Sequence, residues 1–469
     1  MNAPPASKPL PGDYLTTTVS TCAACGRLIP ARIHLRSDGT WFHKHCFEHG
    51  PQEARVYGDS EAYRNLGRFH RRAAMPLQFA QTYQSCPDSC GLCPEHEQHV
   101  CLPILEITDH CDLDCPICLV NNPASHHWTR AEVARVLDGL IRSEGQIDVL
   151  NLSGGEPTLS PHFREIVEEC VGRKEIVRVS VSTNGLTLSQ DMDLLRFLAE
   201  RQVIVSLQFD GLSDDIYQAL RGRPMREAKL RLIDQCAQLD TAMSLTATVA
   251  SGVNDTALTE IASLLFAHDH ILSVMFQPAA YAGHAARMTR PDTAVTIPDI
   301  IARLHGAGQG TVSADDFSPL PCSHPACFSL AFYLEVEAQR FVSIKQMVNA
   351  GRFLDLIQNR ALFGTDEESF RHVTDAVYEL WSGPAALSPD SQKTLSAVKR
   401  LLAQVTSCGC FQPGRAWAAA ERSVKSIFIH QFMDRHTFDL SRARKCCQVY
   451  PQPDGSLMPA CVYNCLKRP

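Results

Sequence analysis

Between about residues 100 and 285, short apolar runs alternate with stretches in which apolar residues recur at helical spacing. One helical stretch opens with Thr129 and Glu132 in a capping-box pattern, and apolar residues follow from Val133 to Ile141. The apolar runs are typical of buried parallel strands, which need crossover helices between them. The pattern predicts six strands at Leu102–Thr108, Ile147–Ser153, Val177–Ser182, Val203–Phe209, Leu245–Ala250 and Leu272–Gln277.

Beyond this alternating region, residues 335–430 carry a long helical pattern that includes Phe353, Leu354, Leu356 and Ile357. The pattern predicts a helical cap, which either walls off a pocket or packs over the open side of the strands. The two interpretations are compatible.

Composition narrows the class of protein. With 469 residues, 45% of them hydrophobic, the chain is long enough for two to four globular domains. A net charge of −7 argues against non-specific nucleic-acid binding. The N-terminus has no apolar core typical of a secretory signal, and no apolar run approaches membrane-spanning length. Twenty cysteines without export signals indicate metal ligands in a reducing compartment, so we expect a cytoplasmic protein.

The strongest chemical signal is Cys111, Cys115 and Cys118, which follow the first predicted strand with the spacing CxxxCxxC. Three thiolates at this spacing can hold three corners of a cubane 4Fe–4S cluster, whereas an electron-transfer cluster normally has four cysteine ligands. The fourth iron is therefore expected to bind a substrate or a cofactor. These three cysteines are the predicted catalytic centre.

About forty residues later comes Ser153-Gly154-Gly155-Glu156-Pro157. The two motifs together resemble the radical S-adenosylmethionine (SAM) superfamily. The resemblance implies a partial (β/α)6 TIM-like barrel in which SAM chelates the open iron and the Gly-Gly-Glu turn bonds the methionine amino group. It also implies a flavodoxin- or ferredoxin-type electron donor and a 5′-deoxyadenosyl radical that takes hydrogen from a substrate. We expect the glycines to let a ligand approach the backbone closely.

Polar residues at the ends of later strands match the family's remaining SAM contacts. Because chemistry in such barrels gathers at the C-terminal strand ends, these residues are candidates as cofactor ligands. The predicted contacts, besides Gly154 to Pro157, are Thr183, Asn184, Ser206, Gln208, Asp210, Val249, Asn254 and Gln277.

The N-terminus contains Cys22-x2-Cys25 and, twenty residues on, Cys46-x2-His49. Two such knuckles form a closed structural site for Zn or mononuclear Fe. His43 and His45 compete with His49, although their spacing fits a knuckle less well.

The remaining cysteines indicate auxiliary clusters. Cys86, Cys90 and Cys93 repeat the CxxxCxxC spacing, and Cys101 supplies a fourth thiolate, with His96 and His99 as alternatives. This segment lacks a preceding strand and a following Gly-Gly-Glu, so we reject it as the SAM site. At least one further cluster is expected to draw on C-terminal cysteines, namely Cys322, Cys327, Cys446 or Cys447, and Cys461. Cys170 and Cys236 lie on apolar helix faces and are predicted to be core residues.

The combination of these segments with a final PDG…PxCxYN stretch resembles archaeal tetraether lipid synthase and the class D radical SAM methylases. That resemblance implies carbon–carbon bond formation at unactivated carbons. Coupling of lipid chains is the first hypothesis. Methylation of a pterin or another small molecule, peptide maturation, and a binding module without catalysis are the alternatives. Cys465 departs from the pattern.

The predicted organisation has four parts. They are a zinc-ribbon or rubredoxin-like metal knuckle at 1–60, a cysteine-rich linker at 61–100, the radical SAM barrel at 101–300, and a helical and auxiliary Fe–S region at 301–469.

Overall fold

A computed structural model of the protein describes residues 12–81, 85–88, 90–120, 126–347, 350–359 and 421–468. It also describes short pieces at 393, 396–397, 399–400, 406–407 and 410–411. Cys408, which belongs to the cysteine-rich C-terminal region, lies outside these residues.

The N-terminal residues form a four-stranded antiparallel sheet in the order β1-β2-β3-β4. Tight turns with glycine at positive φ, Gly26 and Gly50, follow the two knuckle cysteines Cys25 and Cys46 closely along the chain. The elements are β1 (Asp13–Thr21), β2 (Leu28–Arg36), β3 (Gly39–Cys46), β4 (Gly50–Tyr57) and the short helix α1 (Ser60–Asn65).

Six parallel strands, β5 to β10, then pair in chain order, as the apolar pattern predicted. They are β5 (Leu102–Thr108), β6 (Ile147–Gly154), β7 (Ile176–Thr183), β8 (Ile204–Gln208), β9 (Met243–Val249) and β10 (Ile271–Pro278). The helices around them are α2 (Arg130–Glu144), α3 (Phe163–Val171), α4 (Met192–Glu200), α5 (Asp214–Arg221), α6 (Arg226–Gln238), α7 (Leu258–Ala267) and α8 (Ile297–Leu304).

One large apolar core joins the helices to the outward faces of these strands. The capping box at Thr129 is present, because its hydroxyl accepts from the Glu132 amide while the Glu132 carboxylate accepts from the Thr129 amide. Cys170 and Cys236 are fully buried in this core, as predicted.

C-terminal strands extend the same sheet at both ends. β16 pairs parallel with β10 and antiparallel with β12, while β17 pairs parallel with β5 and antiparallel with β18. The elements are α9 (Ala307–Gly310), β11 (Ser318–Pro319), β12 (Phe328–Glu337), β13 (Arg340–Ser343), α10 (Ile344–Met347), α11 (Ala350–Ile357), β14 (Thr406–Ser407), β15 (Cys410–Phe411), β16 (Val424–His430), α12 (Leu440–Arg444), β17 (Gln448–Pro451), β18 (Leu457–Pro459) and α13 (Ala460–Val462).

The predicted helical pattern over 335–430 is confirmed at α11 and wrong at both ends of the stretch, and most of its residues between 360 and 420 lie outside the described part of the chain. β13 lies near its start, and β16 lies at its end, where burial alternates residue by residue along Val424–His430. Alternation with a period of two is the mark of a strand rather than a helix. The boundaries at residues 60, 100 and 300 stay predictions.

The N-terminal sheet packs on the C-terminal segment through a buried lysine. The Lys44 ammonium donates to the carbonyls of Thr21 and His436, each at 2.7 Å, and to that of Arg435 at 3.2 Å. These contacts fix the N-terminal sheet against residues that immediately precede α12. In the described part of the chain, no helix is both long and apolar enough to cross a membrane.

Candidate active site and metal centres

The loop after β5 places Cys111, Cys115 and Cys118 on the wall of one cavity. The turn is held by a bond from the Cys118 amide to the Cys115 carbonyl at 3.1 Å, and the Val120 amide donates to Cys118 Sγ. Burial raises the pKa of the Cys111 thiol to about 12 and also raises those of Cys115 and Cys118. The metal-free thiols are therefore protonated, and iron binding must displace their protons.

The glycine turn after β6 packs directly on this loop. A Cβ at Gly154 would lie 2.0 Å from the Thr108 carbonyl oxygen, and one at Gly155 would lie 2.2 Å from that of His110. The expectation that the glycines admit a ligand is thus incomplete, because the group that approaches them so closely is the backbone of the cluster loop. Gly154 and Gly155 also line the cavity.

Glu156 lies behind this turn and does not line the cavity. Its buried carboxylate accepts from the Thr158 hydroxyl at 2.6 Å, the Thr183 hydroxyl at 2.9 Å and the Asn184 amide at 2.7 Å. These bonds hold the carboxylate behind the turn, so Glu156 positions the Gly-Gly-Glu segment, and its contact with SAM stays a prediction. Pro157 is likewise buried, at the start of a short 3-10 turn.

The other predicted cofactor contacts divide into two groups. Those that line the cavity are Thr183, Asn184, Ser206, Gln208 and Gln277. Asp210, Val249 and Asn254 do not line it. Asp210 forms an ion pair with Arg221, and the Asn254 side-chain amide donates to the carbonyls of Asp210 and Thr248. Asp210 and Asn254 therefore hold strand ends together.

Arg221, at the end of α5, is a site residue that the sequence did not reveal. Its guanidinium bonds Asp210 at 2.7 and 2.9 Å and the Thr248 hydroxyl at 3.0 Å. It lines the cavity close to Cys115, whose thiol it contacts. An arginine that ends a helix is common, so nothing in the sequence distinguishes this one.

Lys229 is a second buried cation near the site. Its ammonium donates to the Gln208 side chain at 2.8 Å and to the Asn184 carbonyl. Burial lowers the pKa of Lys229 to about 7. Lys229 thus links the ends of β7 and β8, which carry the predicted cofactor contacts Asn184 and Gln208.

The cavity has a volume of about 490 Å³ and two contrasting sides. Hydroxyl and amide groups of the inner strand faces form one side, where Asn151 bonds Ser180 and Ser182 and where Ser273 bonds Ser244. The opposite side is apolar and includes Leu330, Phe332, Leu356, Phe428 and Phe432. Glu106, which also lines the cavity, pairs with Arg468 at 2.8 Å.

The auxiliary cysteines are grouped differently from the prediction. Cys101 does not join the Cys86 group. Its thiol instead contacts those of Cys322 and Cys447, and the Cys101 contact lowers the pKa of Cys322 to about 7. Both Cys101 and Cys447 line the cavity. The structure therefore places a three-thiol group at the end of the cavity that lies away from the loop after β5.

A second group consists of Cys86, Cys90 and Cys93 together with Cys446. The thiols of Cys86 and Cys90 are in hydrogen-bonding contact, and Cys93 and Cys446 lie near Cys90. This group contains four thiols, as a closed cluster requires.

Cys327 and Cys461 both lie near Arg442. The Cys327 sulfur accepts a hydrogen bond from Arg442 Nε at 3.1 Å, and the Cys461 sulfur accepts from the Met433 amide at 3.4 Å. Cys465 donates to the Met433 carbonyl at 3.3 Å.

In the N-terminal sheet, Cys22, Cys25, Cys46 and His49 bring their ligand atoms within 4.8 Å of one another. His49 Nδ1 lies 3.7 Å from Cys22 Sγ and 3.5 Å from Cys46 Sγ. The competing His43 is paired with Glu53 at 2.9 Å. The four residues form a compact group with the ligand types that hold a structural zinc ion.

Two family models match the chain. Residues 105–265 match the radical SAM superfamily, and residues 14–58 match the HMPTM N-terminal zinc ribbon domain. The chain therefore contains a radical SAM domain and an N-terminal zinc ribbon, and it is an enzyme that uses a 4Fe–4S cluster with SAM.

Three individual proteins are similar to this chain. The 7,8-dihydro-6-hydroxymethylpterin dimethyltransferase of Methanocaldococcus jannaschii is 26% identical over 479 residues, which cover 96% of this chain and 94% of the relative. The mycofactocin maturase of Mycobacterium tuberculosis is 26% identical over 45% of this chain and 50% of its own. A radical SAM methyltransferase structure from Sphaerobacter thermophilus is 15% identical, with a TM-score of 0.33, over 64% of this chain and 75% of its own.

Proposed function

We propose that the protein is a radical SAM methylase whose substrate is a pterin or a similarly small, flat heterocycle. The observation that carries this proposal is the similarity to the pterin dimethyltransferase, which spans 96% of this chain and 94% of the relative. Matches confined to the barrel indicate the shared initiating chemistry alone. A match over nearly the whole length includes the outer regions, which set the substrate.

The shape and polarity of the cavity support this choice. A pterin presents hydrogen-bonding edges and apolar ring faces, which suit a cavity with one hydroxyl-rich side and one aromatic side. Coupling of lipid chains has no comparable support, because the relative that matches over nearly the whole length is a pterin dimethyltransferase. We therefore do not pursue the lipid hypothesis.

Cys111, Cys115 and Cys118 would hold the catalytic cluster, because all three line the cavity wall and three thiolates leave one iron for SAM. When bound, the cluster supplies the electron that cleaves SAM, and the resulting 5′-deoxyadenosyl radical removes a hydrogen atom from the substrate. A flavodoxin- or ferredoxin-type protein would donate that electron.

The chain's own residues bind, orient and shield these groups. Gly154 and Gly155 would present backbone to the methionine end of SAM, and Glu156 fixes the turn from behind. Arg221, a permanent cation beside Cys115, would attract the carboxylate of SAM. The apolar side of the cavity would exclude water from the radical.

The test is an anaerobic incubation of the reconstituted protein with reductant, SAM and 7,8-dihydro-6-hydroxymethylpterin, followed by mass spectrometry. The proposal predicts a product heavier by one CH₂ for each methyl group gained.

Phe332→Ser makes the apolar side of the cavity polar and is expected to reduce the yield of this product about tenfold or more. Phe47→Ser is the matched control, because Phe47 is exposed in the zinc ribbon, and it should leave the product yield unchanged. Release of 5′-deoxyadenosine without any methylated pterin would contradict the proposed substrate but not the radical chemistry.

A further inference from the structure

The group formed by Cys101, Cys322 and Cys447 provides three thiols, one fewer than a closed cubane cluster needs. A histidine stands beside it. His99 Nε2 lies 3.6 Å from Cys101 Sγ, and the His99 ring is also close enough to Cys322 to affect that thiol electrostatically. The imidazole therefore contacts one of the three thiols and lies near a second.

A buried carboxylate holds the other side of this ring. Glu144, at the end of α2, places Oε2 3.4 Å from His99 Nδ1, and its side chain is 1% exposed. Glu144 is itself fixed by the Val100 amide at 3.0 Å and by the Ser143 hydroxyl at 2.7 Å. Metal-bound histidines characteristically donate their second ring N–H to such a carboxylate, which sets the tautomer and aims the free nitrogen.

Cys327 is a competing thiol, because it belongs to the same buried cluster as Cys101, Cys322 and Cys447. Its sulfur accepts a hydrogen bond from the buried Arg442 guanidinium at 3.1 Å. A thiolate can keep such a hydrogen bond when it binds iron, so Cys327 is the alternative fourth ligand. We favour His99 because Glu144 already orients its ring.

We propose that His99 is the fourth ligand of the auxiliary cluster held by Cys101, Cys322 and Cys447, with Glu144 as its positioning residue. The cluster is then closed, so the iron beside Cys111, Cys115 and Cys118 is the one left open for SAM. A neutral imidazole in place of a thiolate raises the reduction potential of a cluster. Because Cys101 and Cys447 line the cavity, this higher-potential cluster lies next to the substrate.

The test uses protein labelled with ¹⁵N-histidine, loaded with zinc in the ribbon, reduced, and studied without SAM by pulsed EPR. The wild type is expected to show a strong ¹⁵N coupling to one reduced cluster. His99→Cys supplies a thiolate in place of the imidazole, so it should retain the iron, lose the coupling and shift one potential to a more negative value. His96→Gln is the matched control, because His96 is a buried neighbour whose Nε2 bonds the Cys446 carbonyl at 2.9 Å. It should keep the coupling.

Glu144→Gln should keep the coupling but shift the potential of the same cluster, which loss of a merely structural contact would not do. Absence of histidine coupling in the wild type would overturn the proposal. So would a coupling that survives His99→Cys, or an iron content near four per chain, since that would leave no auxiliary cluster. None of these results depends on the substrate of the methylation reaction.

Discussion

At the scale of single residues, the site depends on how closely two backbones approach. Gly154 and Gly155 stack against the carbonyls of Thr108 and His110, so the turn after β6 fixes the loop that carries the cluster cysteines. The Gly-Gly-Glu motif could be recognised in the sequence, but its contact with the loop after β5 could not, because a contact between two strands has no sequence signature. The role of Arg221 could not be predicted for the same reason.

Gly155→Ala tests this contact. The new Cβ would meet the His110 oxygen at 2.2 Å and push the cluster loop outward. Overpacking of this kind costs about 1–3 kcal/mol, so we expect 5′-deoxyadenosine formation to fall about tenfold or more. Gly67→Ala, where a Cβ meets nothing within 4 Å, is the control and should retain activity. Equal rates in the two variants would show that the close approach is unimportant.

Lys229 gives the site a pH-dependent contribution to stability. Its pKa is about 7 in the folded protein and near 10.5 when unperturbed. Between these values the unfolded chain binds more protons, so the contribution of Lys229 to the free energy of unfolding increases as pH rises. Compared with Lys229→Met, the wild type should gain thermal stability from about pH 7 to about pH 9. Parallel pH profiles for the two proteins would contradict this assignment.

At the scale of elements, the six barrel strands follow from the apolar pattern because one face of each strand packs against the helices in the apolar core. The grouping of the auxiliary cysteines does not follow from the sequence. β17 pairs with β5 across more than three hundred residues, and the Cys101 amide donates to the Cys447 carbonyl at 2.9 Å. Adjacent residues near a strand point to opposite sides, which explains why Cys446 and Cys447 join different groups.

The attachment of the ribbon to the C-terminal segment is an element-scale feature that depends on Lys44. Lys44→Met would leave the carbonyls of Thr21 and His436 without this donor, at a cost of about 1–3 kcal/mol. We expect a lower thermal midpoint and faster hydrogen exchange over residues 431–437. Arg27→Met, which removes an exposed ion pair on the same sheet, should change neither. Unchanged exchange in Lys44→Met would mean that the ribbon is held by other contacts.

At the scale of the whole molecule, one cavity connects the cluster loop after β5 with the three-thiol group beside β17. The initiating chemistry and one proposed auxiliary cluster thus face the same space, which is the arrangement expected if a substrate radical forms next to a redox centre. The sequence indicated that all of these cysteines bind metal. It predicted neither the grouping of Cys101 with Cys322 and Cys447 nor the shared cavity, because both depend on strands contributed from both ends of the chain.

The most direct test of this account is the release of 5′-deoxyadenosine by the anaerobically reconstituted protein with dithionite and SAM. The account predicts release by the wild type and none above background by Cys115→Ala, because two thiols cannot retain the cluster that cleaves SAM. Cys236→Ala, which removes a buried core thiol far from any metal group, is the matched control and should remain active. Equal release by the wild type and Cys115→Ala would contradict the account.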